Sequence, residues 1–303
     1  MDFCLGQGVK RSNSSTIARL YNAALGKKTQ FYVPDSVQHH TRGQDFNLTL
    51  THYGLERLLY RLSVSDHANS FLLKGALLFS LWYDVPHRPT RDVDLLGYGA
   101  DDVDSVVAVF QAIAGIPVDD GIAFDVQSVK GSEIRKQEGY SGVRVDMRAL
   151  LDGARIALQI DVGFGDAVTP EPQNVSYPVL FAEFATPQLR AYPKDTVVAE
   201  KLHAICVLGM ANTRMKDYFD LWVLLQDAEL RDVELRRAVV ATFARRGTAL
   251  PSGTPAGLRN EFAEDATKQM QWQAFLKKNR LSAMPLTDLV NFLRARFEAV
   301  GIV

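Results

Sequence analysis

Asp92 and Asp94 stand one residue apart at the opening of the run Val93-Asp-Leu-Leu96, after an aromatic segment, Phe79-Ser-Leu-Trp-Tyr83, and a basic loop, Arg88-Pro-Thr-Arg91. A β-strand turns alternate side chains to opposite faces, so residues i and i+2 share one, and both carboxylates project into a single site. Like charges held that close repel, and a bridging divalent cation removes the repulsion. A hard ion such as Mg²⁺, bound by one or two carboxylates together with substrate phosphates, fits the pair. The bare pair admits a plainer account as well: Asp92 as a cap or turn residue and Asp94 as an ion-pair partner of Arg91.

A third carboxylate narrows the choice. Asp161 lies in Leu158-Gln-Ile-Asp-Val162, where an aspartate inside an apolar strand is costly unless it is paired or binds a cation. A carboxylate pair on one strand end and a single carboxylate on a neighbouring strand can hold two metal ions ~3.5–4 Å apart, an arrangement suited to phosphoryl or nucleotidyl transfer. Lys74-Gly75 precedes the pair by a short helix and a loop. Glycine admits close approach of backbone amides to a phosphate, although the spacing matches no Walker A pattern.

A second cluster, Glu200-Lys201-Leu-His203 and Asn212-Thr-Arg-Met-Lys216-Asp217-Tyr-Phe-Asp220, carries more charge. On a helix beginning near Arg214, Lys216 and Asp220 are spaced i,i+4 and Asp217 and Asp220 i,i+3. Lys201 can reach a triphosphate as a point charge, and Arg214 or Lys216 can do the same or hold Asp217. A solvated helix face laced with ion pairs accounts for the same residues. His203, beside Leu202, reads as a packed histidine.

Periodicity supplies the frame. A short helical stretch around Thr16–Leu25 precedes a polar loop containing His39 and His40, and Leu55, Leu58, Leu59 and Leu62 mark a helix over Leu48–Leu62. A tight turn or helix start is expected at Gly75, then a short helix. Asp101–Ala114 reads as a helix, followed by strands at Ile122–Val126, Gly142–Asp146 and Ala157–Val162. Past Pro193 the pattern is helical: Asp195–Gly209, Asp217–Gln226, Arg231–Arg246 and Leu286–Ala299, the last with Leu289, Phe292, Leu293 and Phe297 inward. The stretch between Pro187 and Pro193 reads as a linker. The expected class is α+β: residues 1–190 as N-terminal helices and a sheet domain, and 191–303 as a helical domain.

Composition excludes several alternatives. At 47% hydrophobic and 23% charged, the 303 residues are those of an ordinary globular protein. No apolar run approaches the ~20 residues of a membrane-spanning helix, and no secretion signal is evident at the N-terminus. Two cysteines, Cys4 and Cys206, are too few for a disulfide framework or zinc cluster, which points to a cytoplasmic setting. The net charge of −1 argues against a strongly basic nucleic-acid binder, although Arg245-Arg246 and Lys277-Lys278-Asn-Arg280 lean toward RNA.

Taken together, Leu73-Lys-Gly-Ala-Leu-Leu78, His87-Arg-Pro-Thr-Arg-Asp-Val-Asp94, Glu133-Ile-Arg135, Leu158-Gln-Ile-Asp-Val-Gly-Phe-Gly-Asp166, Ala199-Glu-Lys-Leu-His-Ala204 and Asn212–Leu221 resemble the AbiEii/AbiGii toxin family, the MenT-like nucleotidyltransferases of the DNA polymerase β-like superfamily. The blocks stand in the family's order. The resemblance implies a bilobed protein, a polymerase β-like sheet domain followed by a helical bundle, with the active site in the cleft between. It implies Asp92, Asp94 and Asp161 as ligands of Mg²⁺, with Mn²⁺ the alternative, and Lys74, Gly75, Arg88, Thr90 and Arg91 near the nucleotide. Lys201, Arg214, Lys216 and Asp217 would hold nucleotide and acceptor, Lys201 and Asp217 with catalytic roles.

The implied activity is that of a toxin of a toxin–antitoxin or abortive-infection system. It would transfer NMP from NTP to the 3′ end of tRNA, block translation, and be countered by an AbiEi-like winged-helix antitoxin. A protein hydroxyl is the alternative acceptor. A non-catalytic nucleotide-binding module is the rival reading, and the intact Asp92, Asp94 and Asp161 argue against it. Two features depart from the pattern: Gly75-Ala76 stands where Gly-Ser is common, removing a hydroxyl from the phosphate site, and Phe31–Gly43 has no counterpart.

Overall fold

In the computed structural model, which describes residues 22, 24, 46–83, 88–134 and 142–303, alternation along the strands sorts apolar from charged side chains. Strands β1 (Phe71–Lys74), β2 (Asp92–Gly97), β3 (Ile122–Glu133), β4 (Gly142–Leu151), β5 (Ala154–Phe164), β6 (Gln173–Ser176) and β7 (Gln188–Ala191) form a sheet of order β3-β4-β5-β2-β1-β7-β6. β2 runs parallel to β5 and antiparallel to β1, while β3, β4 and β5 form an antiparallel meander. Along the centre, Val93 and Leu95 of β2, Ile156, Leu158, Ile160 and Val162 of β5, and Val143, Val145 and Met147 of β4 are buried. Each such side chain contributes roughly 1.5–3 kcal/mol. A one-residue slip would exchange this face for the charged one, so the register is firmly set.

Two helices cover the apolar face, α1 (Phe46–Ser63) and α3 (Val103–Ala114); between them in the chain lies the one-turn α2 (Phe79–Trp82). Gly54 of α1 lies so close to β5 that a Cβ there would sit 3.0 Å from Leu158 Cδ2. Asp102 caps α3, accepting from the Ser105 backbone N–H at 2.8 Å.

Buried charges fasten α1 to its surroundings. Arg61 grips both oxygens of the fully buried Asp120, at 2.7 and 3.1 Å, and donates to the Ile116 carbonyl at 3.0 Å. Glu56 pairs with Arg57 at 2.9 Å and accepts from the Leu180 backbone N–H at 2.6 Å, while Arg57 reaches the Ala185 carbonyl at 3.1 Å. The segment leading to β7 is thus pinned by its backbone. It is a strand of the sheet rather than the linker that Pro187 and Pro193 suggest.

The chain divides into two compact units, Met1–Gly165 with Asn174–Arg190, and Asp166–Gln173 with Ala191–Val303. The second is built from α4 (Lys194–Leu208), α5 (Met215–Leu224), α6 (Asp232–Arg245), α7 (Asn260–Glu264), α8 (Ala266–Asn279) and α9 (Leu286–Ala299). Its core includes Val198, Leu202, Ile205, Tyr218, Leu221, Trp272, Leu289, Leu293 and Phe297. The inward stripe of α9 takes in Leu286 and Val290, whereas Phe292 is only half-buried. Asp166–Gln173 joins this unit through Thr196, whose hydroxyl accepts from the Thr169 N–H at 3.0 Å and donates to its carbonyl at 2.8 Å. Among the described residues no helix is long and apolar enough to cross a membrane. Of the expected helix around Thr16–Leu25 only Asn22 and Ala24 are described, both helical; the His39–His40 loop, Phe31–Gly43, His87 and Arg135 lie outside the described residues.

Burial pushes the Glu56 carboxyl up to about 7, against the opposing pull of Arg57 and the Leu180 amide. Because the folded state keeps this proton while an unfolded carboxyl near 4.5 loses it, stability falls as pH rises between about 4.5 and 7. Glu56→Gln removes that slope. Thermal melts from pH 5 to 8 are expected to show the variant gaining on the wild type with rising pH, by roughly 1–3 kcal/mol across the window.

Candidate functional site

Opposite the helices, the strand register lines up charged residues in rows. Lys74 of β1 stands beside Asp94 of β2, Asp94 beside Asp161 of β5, and Asp161 beside Arg144 of β4. Two residues along, Asp92, Gln159, Asp146 and Lys130 form a second row. Directly paired residues project to the same side of a sheet, so the two rows make one polar surface. The structure thus brings Asp92, Asp94 and Asp161 to one face, with Lys74, largely buried, at its edge.

Gly75 shapes the floor beside Asp94. It follows Lys74 with φ +76°, the left-handed region where a Cβ is strained, and begins a 3₁₀ turn, Gly75–Leu78, leading into α2. A Cβ there would also fall 2.6 Å from Asp94 Cγ. Two independent requirements, backbone twist and contact with the carboxylate, fix glycine at this position. Ala76 next to it is half-buried and brings no hydroxyl.

The loop before β2 is held from both sides. The Thr90 hydroxyl donates to Asp92 Oδ1, and His52 Nε2 of α1 donates to the Thr90 carbonyl at 2.7 Å. Burial holds the His52 imidazole below its ordinary value, with the Arg91 charge acting in the same direction. Arg88 is half-buried and Arg91 exposed. His52 carries no signal in the sequence, because its role depends on a contact 38 residues away.

Arg144 was also missed. Its Nε and one terminal nitrogen donate to the two oxygens of Asp161, both at 2.8 Å, and Gln159 reaches the same carboxylate at 3.5 Å. The signal was available: on the alternating strand Gly142–Asp146, Arg144 and Asp146 occupy the positions facing away from the core.

Three carboxylates on adjacent positions of one polar face form an all-oxygen donor set of the kind Mg²⁺ or Mn²⁺ takes. Among the described residues no three His, Cys, Asp or Glu side chains converge into a ready-made metal centre. The reason is local: Asp92 turns to Thr90 and Asp161 to Arg144. Backbone placement fits the ion, while the Asp92 and Asp161 side chains are turned to other partners.

In the second unit, Lys201 of α4 bonds Asp217 at 3.1 Å and Asp220 at 2.7 Å, both fully buried on α5. Arg214, half-exposed, pairs with the other oxygen of Asp217 at 2.6 Å. Of the two cations expected to hold Asp217 it is Arg214 that does so, while Lys216 is exposed and Asp220, spaced i,i+4 from it, bonds Lys201. His203 is packed as expected, 5.0 Å from the Phe243 ring, with Nε2 at 2.9 Å from Thr248 Oγ1. Arg246 is engaged internally, with Asp166 at 2.9 Å and Glu200 at 3.2 Å, rather than displayed on a basic surface.

A mixed sheet with three aspartates on its polar face is an arrangement suited to nucleotidyl transfer. Residues 57–300 match the family described as nucleotidyl transferase AbiEii toxin, type IV toxin–antitoxin system, and the chain belongs to that family. Among solved structures it is similar to a candidate nucleotidyltransferase from H. pylori, with 16% identity, 84% of this chain and 94% of that one covered, and a TM-score of 0.49. It is also similar to JHP933 from Helicobacter pylori, with 14% identity, 89% and 93% coverage, and a TM-score of 0.46. No curated protein matches. Membership implies an NTP substrate and an antitoxin partner.

Two outcomes check this geometry. Gly75→Ala forces a left-handed alanine, at a cost of about 1–2 kcal/mol, and displaces the Asp94 carboxylate. Melting should show the destabilisation, and nucleotidyl transfer should fall further than stability accounts for. Lys201→Met takes the Lys201 cation from two buried carboxylates, Asp217 keeping its pair with Arg214, and chemical denaturation should register a loss of roughly 3–5 kcal/mol.

Proposed function

We propose that the chain is a Mg²⁺-dependent nucleotidyltransferase that transfers NMP from an NTP to the 3′ hydroxyl of RNA, specifically tRNA, and thereby blocks translation. The observation that carries the reading is the row Lys74–Asp94–Asp161, with Asp92 on the same face and Gly75 fitted against Asp94. Membership of a toxin nucleotidyltransferase family supports it, and the tRNA acceptor is what the sequence resemblance implies.

Asp92, Asp94 and Asp161 would hold Mg²⁺, which when bound offsets phosphate charge and polarises the α-phosphate. Gly75 lets the Asp94 carboxylate lie against the backbone, and Lys74, Arg88 and Arg91 offer positive charge in the same unit. Thr90 orients Asp92. Asp161, freed from Arg144, accepts the proton of the 3′ hydroxyl as that oxygen attacks the α-phosphate in line and pyrophosphate departs. Arg214 and Lys216 contribute exposed cations from the second unit, Arg214 held by Asp217, which Lys201 also bonds. The partner is an AbiEi-like winged-helix antitoxin.

Incubation of the purified protein with each labelled NTP, Mg²⁺ and total tRNA tests the reading. Label is expected at tRNA 3′ ends, reduced at least about a hundredfold by Asp94→Asn, as for loss of a group central to charge stabilisation. Label in protein instead of RNA would transfer the activity to a protein hydroxyl, and no label in either, with wild type and Asp94→Asn alike, would overturn it.

A further inference from the structure

Arg144 occupies the position of a resident cation. Its guanidinium holds both oxygens of Asp161 at 2.8 Å and also feels the charges of Asp146 and Asp92, and together these raise its already high proton affinity. A guanidinium fork matched to a carboxylate is the strongest ordinary ion-pair geometry. The same oxygens are those a divalent ion would need. The Arg144 side chain is 41% exposed and that of Asp161 19%, so the pair is open to solvent and to exchange.

We propose that Arg144 is a positioning residue that competes with the divalent cation for Asp161, holding the carboxylate on the polar face when the ion is absent and yielding it when the ion binds. This rests on the reading of Asp92, Asp94 and Asp161 as the metal-binding set. The competition makes cation affinity weaker than the three carboxylates alone would give. It also lets Asp94 and Asp161 lie side by side without an ion, because the arginine supplies the compensating charge.

Binding of Mn²⁺ alone, without nucleotide, tests the competition by calorimetry or by loss of the free-ion paramagnetic signal. Arg144→Gln is expected to bind Mn²⁺ roughly tenfold or more tighter than wild type, since a charged double hydrogen bond no longer has to be broken. Arg148→Gln is the control: it removes the same charge from the same face of β4, about 13 Å further along, where Arg148 pairs with Asp125 at 2.9 Å. At physiological salt that distance exceeds the Debye length of about 8 Å, so the control should match wild type.

Thermal melting provides the second measurement. Metal-free Arg144→Gln should melt below wild type, and Mn²⁺ should raise its melting temperature more than that of wild type. Equal or weaker Mn²⁺ binding by Arg144→Gln, or an equal gain in Arg148→Gln, would overturn the competition while leaving the metal site standing. Absence of Mn²⁺ binding in both wild type and Arg144→Gln would remove the metal-site reading and the competition with it.

Discussion

The two-residue alternation of β2, β4 and β5 is the constraint on which the first unit depends. It places Val93, Leu95, Val143, Val145, Ile160 and Val162 under α1 and α3, and Asp92, Asp94, Arg144, Asp146 and Asp161 on the opposite side. Several buried aliphatic side chains, each worth roughly 1.5–3 kcal/mol, hold a register that charged residues alone would oppose. Repulsion between Asp94 and Asp161 is therefore imposed by the core on the other face. The strain of crowding carboxylates is supported by hydrophobic burial a few ångströms away.

That division explains what was legible in the sequence. Asp92, Asp94 and Asp161 each break an apolar run at a definite parity, so their shared face follows from chain geometry alone. Helices α1, α3, α4 and α9 were readable because one face of each repeats at helical spacing. Strand β1 was not, since Phe71–Lys74 is buried throughout and shows no alternation. Strand β7 was hidden by Pro187 and Pro193, which resemble linker punctuation, while its place in the sheet is set by long-range pairing. His52 and Asp120 were illegible for a related reason: each is defined by a partner distant in the chain, His52 by Thr90 and Asp120 by Arg61. The spacing puts Asp217 and Asp220 on one helix face, but that Lys201 bonds both depends on packing between two helices and is not readable from spacing.

The ion pairs of the two units differ in what they permit. Exposed or half-exposed pairs contribute about 0–1 kcal/mol net, because water and salt replace much of their attraction. Arg144 with Asp161 is bidentate and so stands above that range, yet it is open enough to solvent for a divalent cation to displace the guanidinium. Lys201 with Asp217 and Asp220 belongs to the other class. Its carboxylates are fully buried, and removing one partner from such a group costs roughly 3–5 kcal/mol. The same chemical contact is thus exchangeable on the sheet and fixed in the helical unit, and burial makes the difference.

Fixed charge has its own consequence for α5. With Asp217 held by Lys201 on one oxygen and by Arg214 on the other, the start of the helix cannot turn without breaking a buried pair. Asn212 adds to this, its side-chain oxygen accepting from the Arg214 N–H at 2.8 Å and its carbonyl accepting from Lys268 at 2.9 Å. Arg214 and Lys216 therefore leave the surface from a rigid base, and their order is built in before any anion arrives. In the proposed nucleotide-binding role, pre-ordering of this kind would lower the entropy cost of holding a phosphate, because the backbone that carries the cations is already fixed. A buried carboxylate here stiffens the platform from which neighbouring cations act, a use of charge that the i,i+3 spacing of Asp217 and Asp220 alone could not reveal.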